Sequence, residues 1–284
     1  GAHILLDALP ELLARHPEVG FVSNLEDRIP GLPAAAGRFN NALYRRVPTT
    51  LTRKGRLRYA PSEAWRALGR EVSPMLVRSS RDLVAADAMT WVADRFRRFF
   101  GERADAQAKP VFLHKLTGWP RSGFIRAVFP DARFIHVVRD GRAVVASDLR
   151  VPWWRGWAGP EHMGCGPLSE ADLAEWEASG RSFPMLAGLS WKIEMDAMVA
   201  ARELVPADQW LDVRFEDVLD DPPSRFKSML TFLGLEADPR FDAALARTQF
   251  QADRKDAFRA ELHPADVAAL DASLAGHLQR WGYG

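Results

Sequence analysis

Residues 111–149, VFLHKLTGWPRSGFIRAVFPDARFIHVVRDGRAVVASDL, constrain the fold more than any other stretch. VFLHKL is a short apolar run with alternation. PRSGFIRAVF opens on Pro120, which the first turn of a helix accepts because no N–H is needed there. ARFIHVVRD is a second apolar run, stopped at Asp140-Gly141 and continued at once by the amphipathic GRAVVASDL. The pattern predicts strand, helix, strand, helix. Strands joined through a helix run parallel, so an α/β fold is expected, with a mostly parallel central sheet flanked by helices.

The chemistry of this unit gathers at the carboxyl ends of its two strands. The first ends near Lys115 and the second at Arg139, beside the helix that opens near Gly141. A helix start attracts anions through its dipole and its unpaired N–H groups. Arginine adds a planar fork that matches phosphate, and Ser147, about two turns along, offers a hydroxyl to the same anion. The unit reads as a phosphate holder. A plainer reading also fits these residues: Arg139 caps a structural helix and Ser147 is a surface polar residue.

Lys115 with the downstream FPDARFIHVVRDGR, and Arg139 and Ser147 eight positions apart, resembles the 3′-phosphate-binding segment of sulfotransferases that use 3′-phosphoadenosine 5′-phosphosulfate (PAPS). The run W…VRFEDVLDDP…FLGL resembles V-x-Y-E-D-L…D-P…F-L-G-L in the later part of the same family. Phe258-Arg259 and Trp281-Gly282-Tyr283 resemble its terminal W-R…L-G-Y signature. HPEVGFVSNLEDRIPG is similar to the HP-x-V…E-x-x-R-x-I/V-P stretch of tyrosylprotein-type members. The resemblance covers nearly the whole chain except 31–80 and 151–185. It implies a sulfotransferase fold of the P-loop-like nucleotide-binding kind, with PAPS as donor and no metal requirement.

The resemblance also implies roles for single residues. Arg139 and Ser147 bind the 3′-phosphate, and Lys115 lies at the leaving phosphate oxygen. Glu26 is the general base, with Arg28 beside it; the competing reading is a solvated loop carboxylate paired to Arg28. Phe215 takes the place of a family tyrosine that reaches the adenine, so a ring contact is kept and a hydroxyl lost. Arg254, Lys255 and Arg259 fold over the cofactor's phosphates. Gly1, Ala2 and His3 match only the end of the family's phosphate loop, Gly-x-x-Arg/Lys-Ser-Gly-Thr-Thr, and are read either as that end or as a remnant of cloning. Thr117 stands where other members carry a base histidine. His114, next to Lys115 on a strand, is expected to face the opposite way.

Composition narrows the partners. The 284 residues suffice for one large α/β domain spanning 1–284, and a net charge of +1 gives no reason to expect a nucleic-acid binder. The single cysteine, Cys165, has no partner for an internal disulfide and no Cys/His company for a metal. No run is long and apolar enough to span a membrane, which makes a cytoplasmic location the expectation.

The remaining stretches are less specific. Residues 1–19 open in a helical pattern interrupted by Pro10. Arg45, Arg46, Arg53, Lys54, Arg56 and Arg58 form a basic run, read as an acceptor-side surface or as a solvated face. A long helix is expected over Arg81 to Phe100, with Leu83, Val84, Met89, Trp91, Val92, Phe96, Phe99 and Phe100 as its core stripe. The Gly/Pro-dense segment 151–185 carries Trp153, Trp154 and Trp157, either as a lid over the acceptor or as local packing.

Three functions of different class are weighed. The first is sulfuryl transfer from PAPS to a hydroxyl or amine acceptor, a small molecule, glycan or peptide. The second is a P-loop-type kinase or ATPase, which would require a GxxxxGK[ST] loop not found in these residues. The third is a nucleotide-binding protein without turnover.

Overall fold

The computed structural model describes residues 8–48, 59–250 and 255–284. The chain runs through α1 (Ala8–Leu13), β1 (Val19–Phe21), α2 (Asn24–Arg28), α3 (Ala36–Arg46), α4 (Trp65–Glu71), α5 (Met75–Arg78), α6 (Thr90–Gln107) and β2 (Val111–Leu113). It continues through α7 (Ser122–Val128), β3 (Phe134–Val138), α8 (Gly141–Asp148), α9 (Glu170–Ala178), α10 (Phe183–Leu204) and β4 (Trp210–Arg214). It closes with α11 (Phe215–Asp220), α12 (Pro222–Leu233), α13 (Pro239–Ala246), α14 (Phe258–Glu261) and α15 (Pro264–Arg280).

The strands lie where the apolar runs put them, and they pair in parallel. β1 pairs with β2 from Val19–Val111 to Phe21–Leu113, and β3 with β4 from Phe134–Trp210 to Val138–Arg214. Among the described residues these are two parallel pairs rather than one continuous ladder. A common apolar layer nevertheless runs beneath both: Val19, Val111 and Leu113 of the first pair and Ile135, Val137, Leu211 and Val213 of the second meet Phe215, Phe226 and Phe241. Each of those three phenylalanines is buried, and full burial of such a side chain stabilises by roughly 1.5–3 kcal/mol. The opposite face of β1 and β2 packs Val22 and Phe112 against Phe96, Phe99, Phe100 and Phe124. Both faces of the strands are therefore covered by helices, as parallel pairing requires.

Two expected elements are shifted. The helix expected from Arg81 begins only at Thr90 and runs on to Gln107. Upstream of it, Asp87 accepts from Arg81 and from Val84 N, and Asp82 accepts from Arg121 N, which winds 85–87 into a short 3-10 turn instead. Val84, Met89 and Trp91 consequently lie exposed, outside the core stripe. The helix expected from Pro120 begins at Ser122, because Arg121 adopts a left-handed conformation with φ 52°.

α8 sits tightly against α10. A Cβ at Gly141 would come within 2.7 Å of the Trp191 ring, so only glycine lets the helix start approach that closely. Among the described residues no helix is long and apolar enough to cross a membrane.

Candidate active site

At the carboxyl end of β1, Ser23 and Glu26 close a reciprocal capping box on α2. Glu26 Oε2 accepts from Ser23 N at 2.9 Å and from Ser23 Oγ at 2.7 Å, while Oε1 lies 3.9 Å from the Arg103 guanidinium. Only 2% of its side chain is exposed. Burial raises the Glu26 pKa above the ordinary carboxylate value, against the opposing pull of Ser23 and Arg103. Arg28 is exposed. Glu26 is not paired to Arg28: its Oε2 closes the helix start, its Oε1 is buried without a close hydrogen-bond partner, and the cation beside it is Arg103.

This location sets an expected result. Glu26→Ala leaves the two Ser23 donors without their acceptor and should cost roughly 1–3 kcal/mol in urea unfolding. Glu26→Gln retains a residue that closes a capping box and should cost less. Equal losses in the two variants would contradict a capping role.

At the carboxyl end of β2, Lys115 meets a carboxylate that the sequence did not single out. Glu63 Oε1 lies 3.8 Å from Lys115 Nζ and accepts from Thr117 Oγ1 at 2.6 Å. Its other oxygen accepts from Trp65 Nε1 at 2.9 Å. Glu63 reaches this place because 60–62 run alongside β1's end. Ser23 and Pro61 form an antiparallel bridge, Ser62 N donates to Val22 O, and Asn24 N donates to Ala60 O. Unlike Glu26, the pair keeps contact with solvent, with 14% of the Lys115 and 23% of the Glu63 side chain exposed.

Backbone strain marks the same spot. Ala64, next to Glu63, has φ 54° and is fully buried, and Arg121 has φ 52°. Non-glycine residues in this region cost of order 1–3 kcal/mol and persist where the surroundings over-determine them. Arg121 Nη1 donates to the carbonyls of Thr117 and Trp119, fixing the turn after Lys115. His114 faces the other way, its ring 4.9 Å from Phe100, and burial pushes its pKa down to about 3. It lies in the aromatic layer rather than beside Lys115.

Glu194 of α10 lies beneath the same turn, 3.8 Å from where a Cβ on Gly118 would stand. Burial, reinforced by the Asp148 carboxylate and opposed by Arg121, pushes its pKa from 4.5 up to about 7. The folded state thus holds an extra proton between those values. Stability from this group is fully present below pH 4.5 and is lost as pH rises through about 7. Glu194→Gln, which mimics the neutral acid, should flatten the fall of melting temperature across that window. An unchanged fall would assign it to another group.

At the end of β3, Arg139 and Ser147 are both buried, and the Arg139 guanidinium lies 5.3 Å from the Phe215 ring centroid. Phe215 thus backs an arginine here. Asp140 caps α8 by accepting from Arg142 N, so the helix start does not present all of its N–H groups to an anion as the sequence suggested. The turn is braced from below: Asp140 N donates to Glu216 Oε1, and Glu216 Oε2 accepts from the Tyr283 hydroxyl at 2.6 Å.

The other candidates are distributed elsewhere. Gly1, Ala2, His3 and Arg254 lie outside the described residues, as do Arg53, Lys54, Arg56 and Arg58. Lys255 is paired with Asp220 and Arg259 with Asp256. α14 does pack on α8, through Phe258 against Ala143 and Ala146. Arg45 holds the carbonyls of His16 and Val19 at the start of β1, a structural task. Of the segment 151–185, Trp154 is buried against Phe183 while Trp153 and Trp157 are exposed. Among the described residues no cluster of three His, Cys, Asp or Glu side chains could hold a metal ion.

Comparison with known proteins agrees with this architecture. The chain is 26% identical over 196 residues to the omega-hydroxy-beta-dihydromenaquinone-9 sulfotransferases Stf3 of Mycobacterium bovis and Mycobacterium tuberculosis. That match takes in 66% of this chain and 44% of the relative, so the chain spans less than half the length of these curated proteins. Sulfotransferase STF9 from Mycobacterium avium superposes with a TM-score of 0.55 at 15% identity, over 99% of this chain and 74% of the other. The sulfotransferase domain from the curacin biosynthetic pathway gives 0.51 at 12% identity, over 96% and 94%. At such identities these structures share the fold. The sequence profile of the sulfotransferase family matches residues 7–239, and the chain belongs to that family.

Proposed function

We propose that the chain transfers a sulfuryl group from PAPS to a hydroxyl or amine acceptor by in-line displacement at sulfur. The observation that carries this reading is Lys115, an ammonium group at the carboxyl end of β2, partly open to solvent and beside a carboxylate. In the same βαβα unit, Arg139 and Ser147 supply a guanidinium and a hydroxyl at the strand end and the adjoining helix. Open α/β sheets bind ligands along that edge. This donor set suits a nucleotide carrying a 3′-phosphate, with Arg139 and Ser147 holding that phosphate.

The residues divide the work as phosphoryl transfer does, by position and electrostatics. Lys115 balances negative charge growing on the leaving oxygen, and a carboxylate takes the acceptor's proton. The Stf3 relatives, by name, act on a hydroxylated menaquinone, and the same class of acceptor, a hydroxyl on an apolar molecule, suits the exposed Trp153, Trp157 and Phe183.

A second reading, nucleotide binding without turnover, is favoured by Phe215 in the place of the family tyrosine. Titration calorimetry with adenosine 3′,5′-bisphosphate and, separately, ATP tests the donor. The bisphosphate should bind more tightly; preferential binding of ATP would favour a kinase instead.

A further inference from the structure

We infer that Glu63 is the general base of this reaction and that Thr117 is the residue that positions it. The inference rests on the PAPS reading. Its grounds are geometric: Glu63 is the carboxylate 3.8 Å from Lys115, partly exposed, and held through both oxygens by Thr117 and Trp65. Glu26, by contrast, has its side chain sealed at 2% exposure in a capping box. A base must reach the acceptor's proton, directly or through one water, and of these two only Glu63 has a face open to solvent.

Two of the four left-handed non-glycine residues among those described lie here and supply a second indication. Ala64 and Arg121 flank Glu63 and Thr117 on separate segments, and both hold sparsely populated backbone conformations. Such strain collects at sites whose geometry is fixed by function. Thr117 contributes twice: its hydroxyl donates to Glu63 Oε1, and its carbonyl accepts from Arg121. The carboxylate is thereby fixed relative to Lys115 before any substrate arrives.

The step balances without another reactant. A lone pair of the acceptor oxygen forms the new S–O bond. The bond from sulfur to the phosphate oxygen breaks with its electron pair passing to that oxygen, beside Lys115. The acceptor's proton passes to the Glu63 carboxylate and then to water. Adenosine 3′,5′-bisphosphate and the sulfated acceptor leave.

The test compares Glu63→Gln with Glu26→Gln, using PAPS with 2-naphthol and 1-octanol as probe acceptors. Glu63→Gln should lower kcat by roughly 10²–10⁴-fold, with the calorimetric affinity for adenosine 3′,5′-bisphosphate within about threefold of the parent and the melting temperature little changed. Glu26→Gln should keep kcat within about threefold. Thr117→Val should lower kcat by roughly tenfold with recovery in Thr117→Ser, and should add little to Glu63→Gln, because the two residues act as a unit. If Glu63→Gln turned over within a few-fold of the parent while still binding the bisphosphate, Glu63 would not be the base. A large kcat loss in Glu26→Gln instead would return the role to that residue. If the parent bound no bisphosphate, or transferred to neither probe, the PAPS reading would fail and the base assignment with it.

Discussion

Lys115→Ala should lower turnover by roughly 10²–10³-fold, the loss seen when a donor to developing negative charge is removed. Affinity for adenosine 3′,5′-bisphosphate should change far less. The reason is where the charge appears. In the ground state the bridging oxygen is shared between phosphorus and sulfur and carries little charge; in the transition state its bond to sulfur is breaking and charge accumulates on it. An interaction made mainly in the transition state shows up in kcat. Lys115 is suited to the task by its place at the end of β2, where its stem is packed and only 14% of the side chain is exposed. Single-turnover kinetics at saturating PAPS, beside equilibrium titration of the bisphosphate, separate the two effects. A variant that bound donor poorly yet turned over normally at saturation would make Lys115 an anchor.

Arg139→Ala should show the opposite division. A charge-assisted hydrogen bond to phosphate contributes roughly 1.5–3 kcal/mol, which is about ten- to a hundredfold in affinity. The guanidinium is buried over Phe215, immediately ahead of the Asp140 cap and α8. Its removal should therefore weaken donor binding without a comparable loss of kcat once donor is saturating. Calorimetry with adenosine 3′,5′-bisphosphate measures this, and an unchanged affinity would reject Arg139 as a phosphate ligand.

The parts of the site that were legible in the sequence are those fixed by local pattern. Runs such as VFLHKL and ARFIHVV announce strands, and residues just past the carboxyl end of a strand fall on the ligand edge; Lys115 and Arg139 could be placed from that alone. Alternation along β2 likewise turns His114 away from Lys115 into the aromatic layer. Glu63 carried no such signal. It sits in a Pro- and Arg-rich stretch without a period, and it comes to Lys115 through a bridge between Ser23 and Pro61, residues far apart in sequence. Glu26, expected as a base or as a loop carboxylate paired to Arg28, sits three residues after Ser23 at a helix start, and there it closes a capping box. The early start expected for α6 failed for a similar reason: Asp82 and Asp87 found partners that outweighed helical periodicity.

The reading of this chain as an enzyme rather than a nucleotide holder depends on whether bound donor is consumed. Mass spectrometry of a reaction containing PAPS and a verified acceptor measures this directly. The account requires sulfated acceptor and adenosine 3′,5′-bisphosphate to appear one for one, and both to be nearly abolished in Lys115→Ala. PAPS bound tightly by the parent but recovered intact, with no sulfated acceptor formed, would contradict it.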